Sequence, residues 1–107
     1  MSHSSKWYTI EDRHLIAETT DLRVSILTLA DGQEIPWHFH TAVTDSFTCL
    51  EGPMVVKTRA GDQQLQPGDS YQVAPNTAHQ VAGKNGGRCR FVIVQGVGTY
   101  DYVPVEG

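Results

Sequence analysis

The chain has 107 residues, of which 39% are hydrophobic and 19% charged, and its net charge is −4. That size holds one domain, residues 1–107, with one modest core, and that composition excludes a disordered or fibrous chain. The acidic balance opposes attraction to phosphate backbones, and the nearest basic cluster, Lys84, Arg88 and Arg90, is broken by "NGG" and reads as a solvated loop, so no nucleic-acid partner is expected.

The first segment, "MSHSSKWYTI", lacks the apolar stretch of a signal peptide, and the longest strongly apolar run, "FVIV" at 91–94, is too short to cross a bilayer. A cytoplasmic location with no membrane partner is the expectation. Within it "KWYTI" reads as a strand whose Trp7 and Tyr8 form an exposed apolar edge, and such edges are usually covered by another subunit; a homodimer is therefore expected. "EDRHLIAETT" at 11–20 comes nearest to a helical period but does not hold it for three turns, so it reads as a strand or a single turn at an edge. Glu11, Asp12, Glu18 and Asp21 read as solvated, and His3 and His14 as exposed.

In "LRVSILTLA", Leu22, Val24 and Ile26 share one face and Arg23 and Ser25 the other, before both faces turn apolar at Leu27 and Leu29. Further strand-like runs follow: "DSFTCL", "PMVVKTRA", "DSYQVA", "HQVA" and "RCRFVIVQG". Turn signals separate them at 31–32, 51–53, 60–62, 67–69 and 75–77, and "GKNGG" at 83–87 reads as a hairpin turn. The rhythm is all-β with little or no helix, a sandwich or a small antiparallel barrel.

Between two of these runs lies "PWHFHTAVTD", residues 36–45. If its first half is extended, side chains at i and i+2 share a face, so His38 and His40 point together and Trp37 and Phe39 pack behind them. An H-x-H pair alone is a weak signal. The surroundings strengthen it: Gly32, five residues, His38, one, His40, four, Asp45, six, Gly52. This spacing resembles the first signature of the cupin superfamily. Downstream, Gly68 and Asp69 lead into "APNTAHQVAG", where His79 stands at the place of the histidine of the second signature.

The resemblance covers residues 32–83 by motif and implies an antiparallel β-barrel or jelly roll of roughly six to eight strands, with His38, His40 and His79 converging inside its mouth on a divalent transition metal. Neutral imidazoles with at most one carboxylate suit Fe, Mn, Ni, Co or Zn, without choosing among them. Four positions depart from the family pattern: Asp45 stands for Glu, Ala74 for Pro, Asn76 for Gly and Gly83 for Asn. Aspartate is one methylene shorter, so Asp45 is either a fourth ligand or a nearby acid–base group that orients a histidine or a bound water. Asn76 can replace glycine because Asn tolerates left-handed backbone.

Parity places other residues. With Asp45 inward, Phe47 and Cys49 follow it, Cys49 about 13 Å further along the strand and on the cavity wall. Met54, Val56, Phe91 and Ile93 read as core or cavity liners, and Tyr71, Tyr100 and Tyr102 as packing residues or phenols near the mouth. Cys49 and Cys89 form no C-x-x-C pair and are expected reduced. Ser46 beside Asp45 has no nucleophile-elbow context, which argues against a hydrolase triad. The resemblance implies a metal-dependent dioxygenase, isomerase or lyase acting on a small oxygenated carbonyl or carboxylate compound. A barrel that binds or senses a small ligand without turnover is the alternative.

Overall fold

The structure, a computed structural model, describes the backbone of residues 3–4 and 7–106 and the side chains of 7–106. The expected exposure of His3 and the Lys6 end of the first expected strand lie outside the described side chains. The strands are β1 (His3–Ser4), β2 (Thr9–Ile10), β3 (Asp12–Glu18), β4 (Leu22–Leu29), β5 (Glu34–Phe39), β6 (Thr44–Glu51), β7 (Met54–Thr58), β8 (Gly61–Leu65), β9 (Ser70–Val73), β10 (His79–Gly83), β11 (Cys89–Gly96) and β12 (Val103–Pro104). Helical structure among the described residues is limited to a 3₁₀ turn at Lys84–Gly86. The all-β reading holds.

Two five-stranded antiparallel sheets face each other, ordered β12-β5-β10-β7-β8 and β3-β4-β11-β6-β9, with β1 and β2 as a separate ribbon. From β4 to β12 the chain crosses between the sheets at almost every connection, as in a jelly roll; the β7–β8 hairpin at "AGD" is the exception. The segment 11–20 is the edge strand β3, extended rather than turned.

One expectation is corrected. "GKNGG" is not a hairpin turn, because β10 is already paired on both sides, with β5 and β7, so β11 joins the opposite sheet between β4 and β6. Asn85 and Gly86, at φ 55° and 76°, carry the crossing. Gly83 is required there, since a Cβ on it would lie 1.8 Å from the Gly87 carbonyl oxygen. In β4 the expected alternation holds: Leu22, Val24 and Ile26 lie half-buried on the outer face, while Ser25, Leu27 and Leu29 are buried inside. Register decides this: Leu27 stands opposite Phe91 and Ser25 opposite Ile93, whose side chains fill the interior.

The core fills the space between the sheets. Phe47 and Phe91 meet edge to face with ring centroids 5.7 Å apart, and Met54, Val56 and Val81 close around them from the other sheet. Each fully buried side chain of this size contributes about 1.5–3 kcal/mol relative to exposure. Cys49 and Cys89 are buried and free, the reduced state expected. Phe47 and Ile93 reach the cavity, but Cys49 does not; it sits one step deeper, behind Phe47 on the same face of β6. Tyr71 is a packing residue, half-buried against the core.

Charges expected in solvent lie at the surface. Arg88 reaches Glu51 at 2.6 Å and Glu11 at 3.4 Å, and Arg90 lies 3.5 Å from Glu51. At this exposure such pairs add little. Asp12, His14, Glu18 and Asp21 are exposed.

Candidate metal centre

The sheets bring the four residues singled out by spacing to one point. His38 lies on β5 and stands in register with His79 on β10; His40 follows the end of β5. Asp45 comes from β6 in the facing sheet. All four are buried, and their ligand atoms lie within 4.8 Å of one another.

Each imidazole is turned by a backbone carbonyl. His38 Nδ1 donates to the Pro36 carbonyl at 2.7 Å, His79 Nδ1 to that of Thr77 at 2.9 Å, and His40 Nδ1 to that of Asp101. A carbonyl can only accept, so Nδ1 carries the hydrogen and Nε2 is left to face the centre in all three rings. Such an outer hydrogen bond fixes the tautomer a metal ligand needs. Asp45 Oδ2 lies 2.9 Å from His40 Nε2 and 2.9 Å from His79 Nε2, contacts that are hydrogen bonds only where Nε2 also carries a proton, and Oδ1 accepts from Gln95 Nε2 at 3.1 Å. One carboxylate oxygen therefore belongs to the histidine centre and the other to Gln95. The shorter side chain reaches the histidines.

Electrostatics follow from burial and these contacts. Desolvation, with His79 adjacent, pushes His38 down to about 3, so this ring is neutral at ordinary pH. Burial, the largest single influence, would lower His40 too, but the hydrogen bond and charge of Asp45, with the contacts from Asp101, together outweigh it and raise the ring. Burial alone would raise Asp45; the hydrogen bonds from His40 and His79 prevail and hold its carboxyl well below the usual carboxylate range. Three nitrogens and one oxygen, buried and pre-turned, match the donor chemistry of a divalent transition metal.

The mouth is closed by two of the tyrosines expected near it. Tyr102 stacks on His38 with centroids 4.4 Å apart and planes 14° from parallel, and Tyr100 packs against His40 at 5.3 Å. Asp101 accepts from Thr41 through both carboxylate oxygens, at 2.8 and 2.6 Å, which pins the 100–102 segment over the site. Arg13 of β3 and Tyr8 complete the rim. The remaining cavity leaves about 10 Å³ for the centre of a water-sized sphere, enough for one ion or one water. Gln95 was legible by parity, two steps beyond Phe91 and Ile93 on the same inward face of β11. Arg13 carries no local signal. Asn76 does adopt left-handed backbone, at φ 63°, and its N–H donates to the His40 carbonyl at 2.7 Å.

A double-sheet barrel with a histidine–aspartate centre in its mouth defines a class, and comparison with known proteins places the chain in it. The Cupin domain family model matches residues 25–95, and the chain belongs to that family. A conserved protein with a double-stranded β-helix domain from Klebsiella pneumoniae superposes with a TM-score of 0.78 at 24% identity, covering 98% of this chain and 85% of that one. A cupin-2 domain protein from Shewanella frigidimarina gives 0.69 at 22% identity, covering 81% of each chain. Quercetin 2,3-dioxygenase of Bacillus subtilis is 44% identical over 48 residues, 45% of this chain, and the match spans only 14% of the dioxygenase.

Proposed function

We propose that the chain is a metal-dependent enzyme of the dioxygenase, isomerase or lyase type, acting on a small oxygenated carbonyl or carboxylate compound. The carrying observation is that three separate backbone carbonyls turn three Nε2 atoms toward a centre shared with an Asp45 oxygen. Histidines that served only the core would not need a common tautomer and a common target. The local likeness to a dioxygenase supports the reaction class.

His38, His40 and His79 would hold the ion, Fe, Mn, Ni, Co or Zn, with Asp45 as fourth ligand or as general base. When bound, such an ion supplies Lewis acidity or redox chemistry at the mouth of the barrel. Gln95 keeps Asp45 oriented, and Tyr100 and Tyr102 limit the entry of water. Two buried, unpaired thiols suit a reducing compartment, in keeping with the cytoplasm. The half-exposed Leu15 and Ile16 on the edge strand β3, with Trp7 nearby in the chain, support a homodimer.

The test is elemental analysis of untagged protein alongside the alanine variants of His38, His40 and His79. Each variant should lose metal, and any activity with it. Stoichiometric metal retained in all three variants would sink the reading.

A further inference from the structure

We propose that the substrate is a small carboxylate whose anionic end is held by Arg13, Tyr8 and Tyr102 at the rim of the cavity; this rests on the metal-enzyme reading above and narrows it to a substrate class.

The rim is rich in donors and positive charge. Arg13 lies on β3 opposite Leu27, on the inner side of its sheet, and lines the same cavity as His38, His40 and Asp45. Its Nη2 donates to Tyr8 Oη at 2.8 Å, and among the described residues it makes no ion pair. A guanidinium carries five N–H donors in a planar fork that matches a carboxylate, so most of its recognition capacity is still open.

Tyr102 gives an independent observation. Its ring is clamped between His38 at 4.4 Å and Trp7 at 5.9 Å, and its hydroxyl is buried without a hydrogen-bond partner. Leaving a buried hydroxyl unpaired costs about 1–3 kcal/mol, and an acceptor on an incoming ligand would remove that cost. A second cation stands behind the tyrosines: the Arg23 guanidinium lies 4.5 Å from the Tyr100 ring centroid, its buried Nε without a hydrogen bond and 3.8 Å from the Glu18 carboxylate.

Against these charges the cavity offers one carboxylate, Asp45, which is already engaged by two histidines and Gln95. Donors with few free acceptors select an anion over a neutral polyol, which would need both. The small cavity sets the size. A multi-ring substrate would have to move the 100–102 segment, which is pinned at Thr41.

The experiment uses the whole chain loaded with Co²⁺ and follows the cobalt absorption bands during titration with malonate, acetate and malonamide. Malonate, which can place one carboxylate on the ion and the other on the rim, should bind roughly tenfold or more tighter than acetate, and malonamide should bind weakly. Arg13→Gln should lower malonate affinity roughly 10- to 100-fold while leaving Co²⁺ affinity unchanged, and Arg13→Lys should recover part of the loss. Tyr102→Phe should weaken malonate by a smaller factor without altering Co²⁺ uptake. If Co²⁺ binds stoichiometrically but malonate is no tighter than malonamide, or is unaffected by Arg13→Gln, the carboxylate proposal fails and the metal reading stands. If no Co²⁺ binds, the metal reading fails and the proposal falls with it.

Discussion

Gln95 on β11 stands directly opposite Asp45 on β6, and its side-chain amide donates to Asp45 Oδ1 at 3.1 Å. This contact divides the carboxylate, leaving Oδ2 for the histidines. Gln95→Leu removes the donor and leaves a buried oxygen unpaired. The expected result is a loss of about 1–3 kcal/mol in stability and roughly 10- to 100-fold weaker metal binding. Calorimetric melting and a competition titration with a metal chelator check both, and unchanged metal affinity would mean that Asp45 needs no such support.

Metal uptake should release a proton. His38 is neutral down to about 3, whereas the Asp45 hydrogen bond and charge favour the protonated His40 ring, and an incoming ion competes with that proton. Protons and metal compete for the same Nε2, so affinity falls as pH falls through the His40 titration and levels off above it. Asp45→Asn removes the anion that favours the protonated ring and should move that window to lower pH. Calorimetry in two buffers of different ionisation enthalpy measures the proton count, and an affinity that does not fall as pH is lowered contradicts the assignment.

Both thiols should be inert while the barrel is folded. Burial pushes Cys89 up to about 12 and raises Cys49 as well, so little thiolate exists near neutral pH and neither sulfur is accessible. A disulfide-exchange reagent at about pH 8 should react with neither in native protein and with both in denaturant. Rapid native reaction of either would show local opening of β6 or β11.

Gly83 has no room for a side chain. A Cβ there meets the Gly87 carbonyl oxygen at 1.8 Å, so Gly83→Ala must push the inter-sheet crossing aside. A cost of about 1–3 kcal/mol or more is expected from chemical denaturation. A stability equal to that of the unaltered chain would mean that the 84–86 turn relaxes freely.

Light scattering at micromolar concentration should return the mass of a dimer. Ile16→Glu, which places a charge on the half-exposed edge strand β3, should shift the population toward monomer. A monomeric mass for the unaltered chain refutes the dimer.

What the sequence determined by itself is the local pattern. Period-two alternation and turn residues identify strands because pleat geometry is a local property, and the spacing from Gly32 through Asp45 to His79 marked the four residues that converge. Alternation does not say which face is inside. Leu22, Val24 and Ile26 form the more apolar set in the first half of β4, yet they face outward because register with β11 turns the other set in. The same limit explains the misread turn at 83–87: "NGG" permits a tight reversal, but whether the next strand pairs locally depends on β5 and β7 having already occupied both sides of β10. Arg13 reaches the site from a strand far from the histidines in the chain, and no local signal places it there, whereas Gln95 follows the parity of β11. Only the facing of the two sheets decided that Asp45 lies across from the histidines, close enough to share their centre, because that distance is set by the packing between sheets.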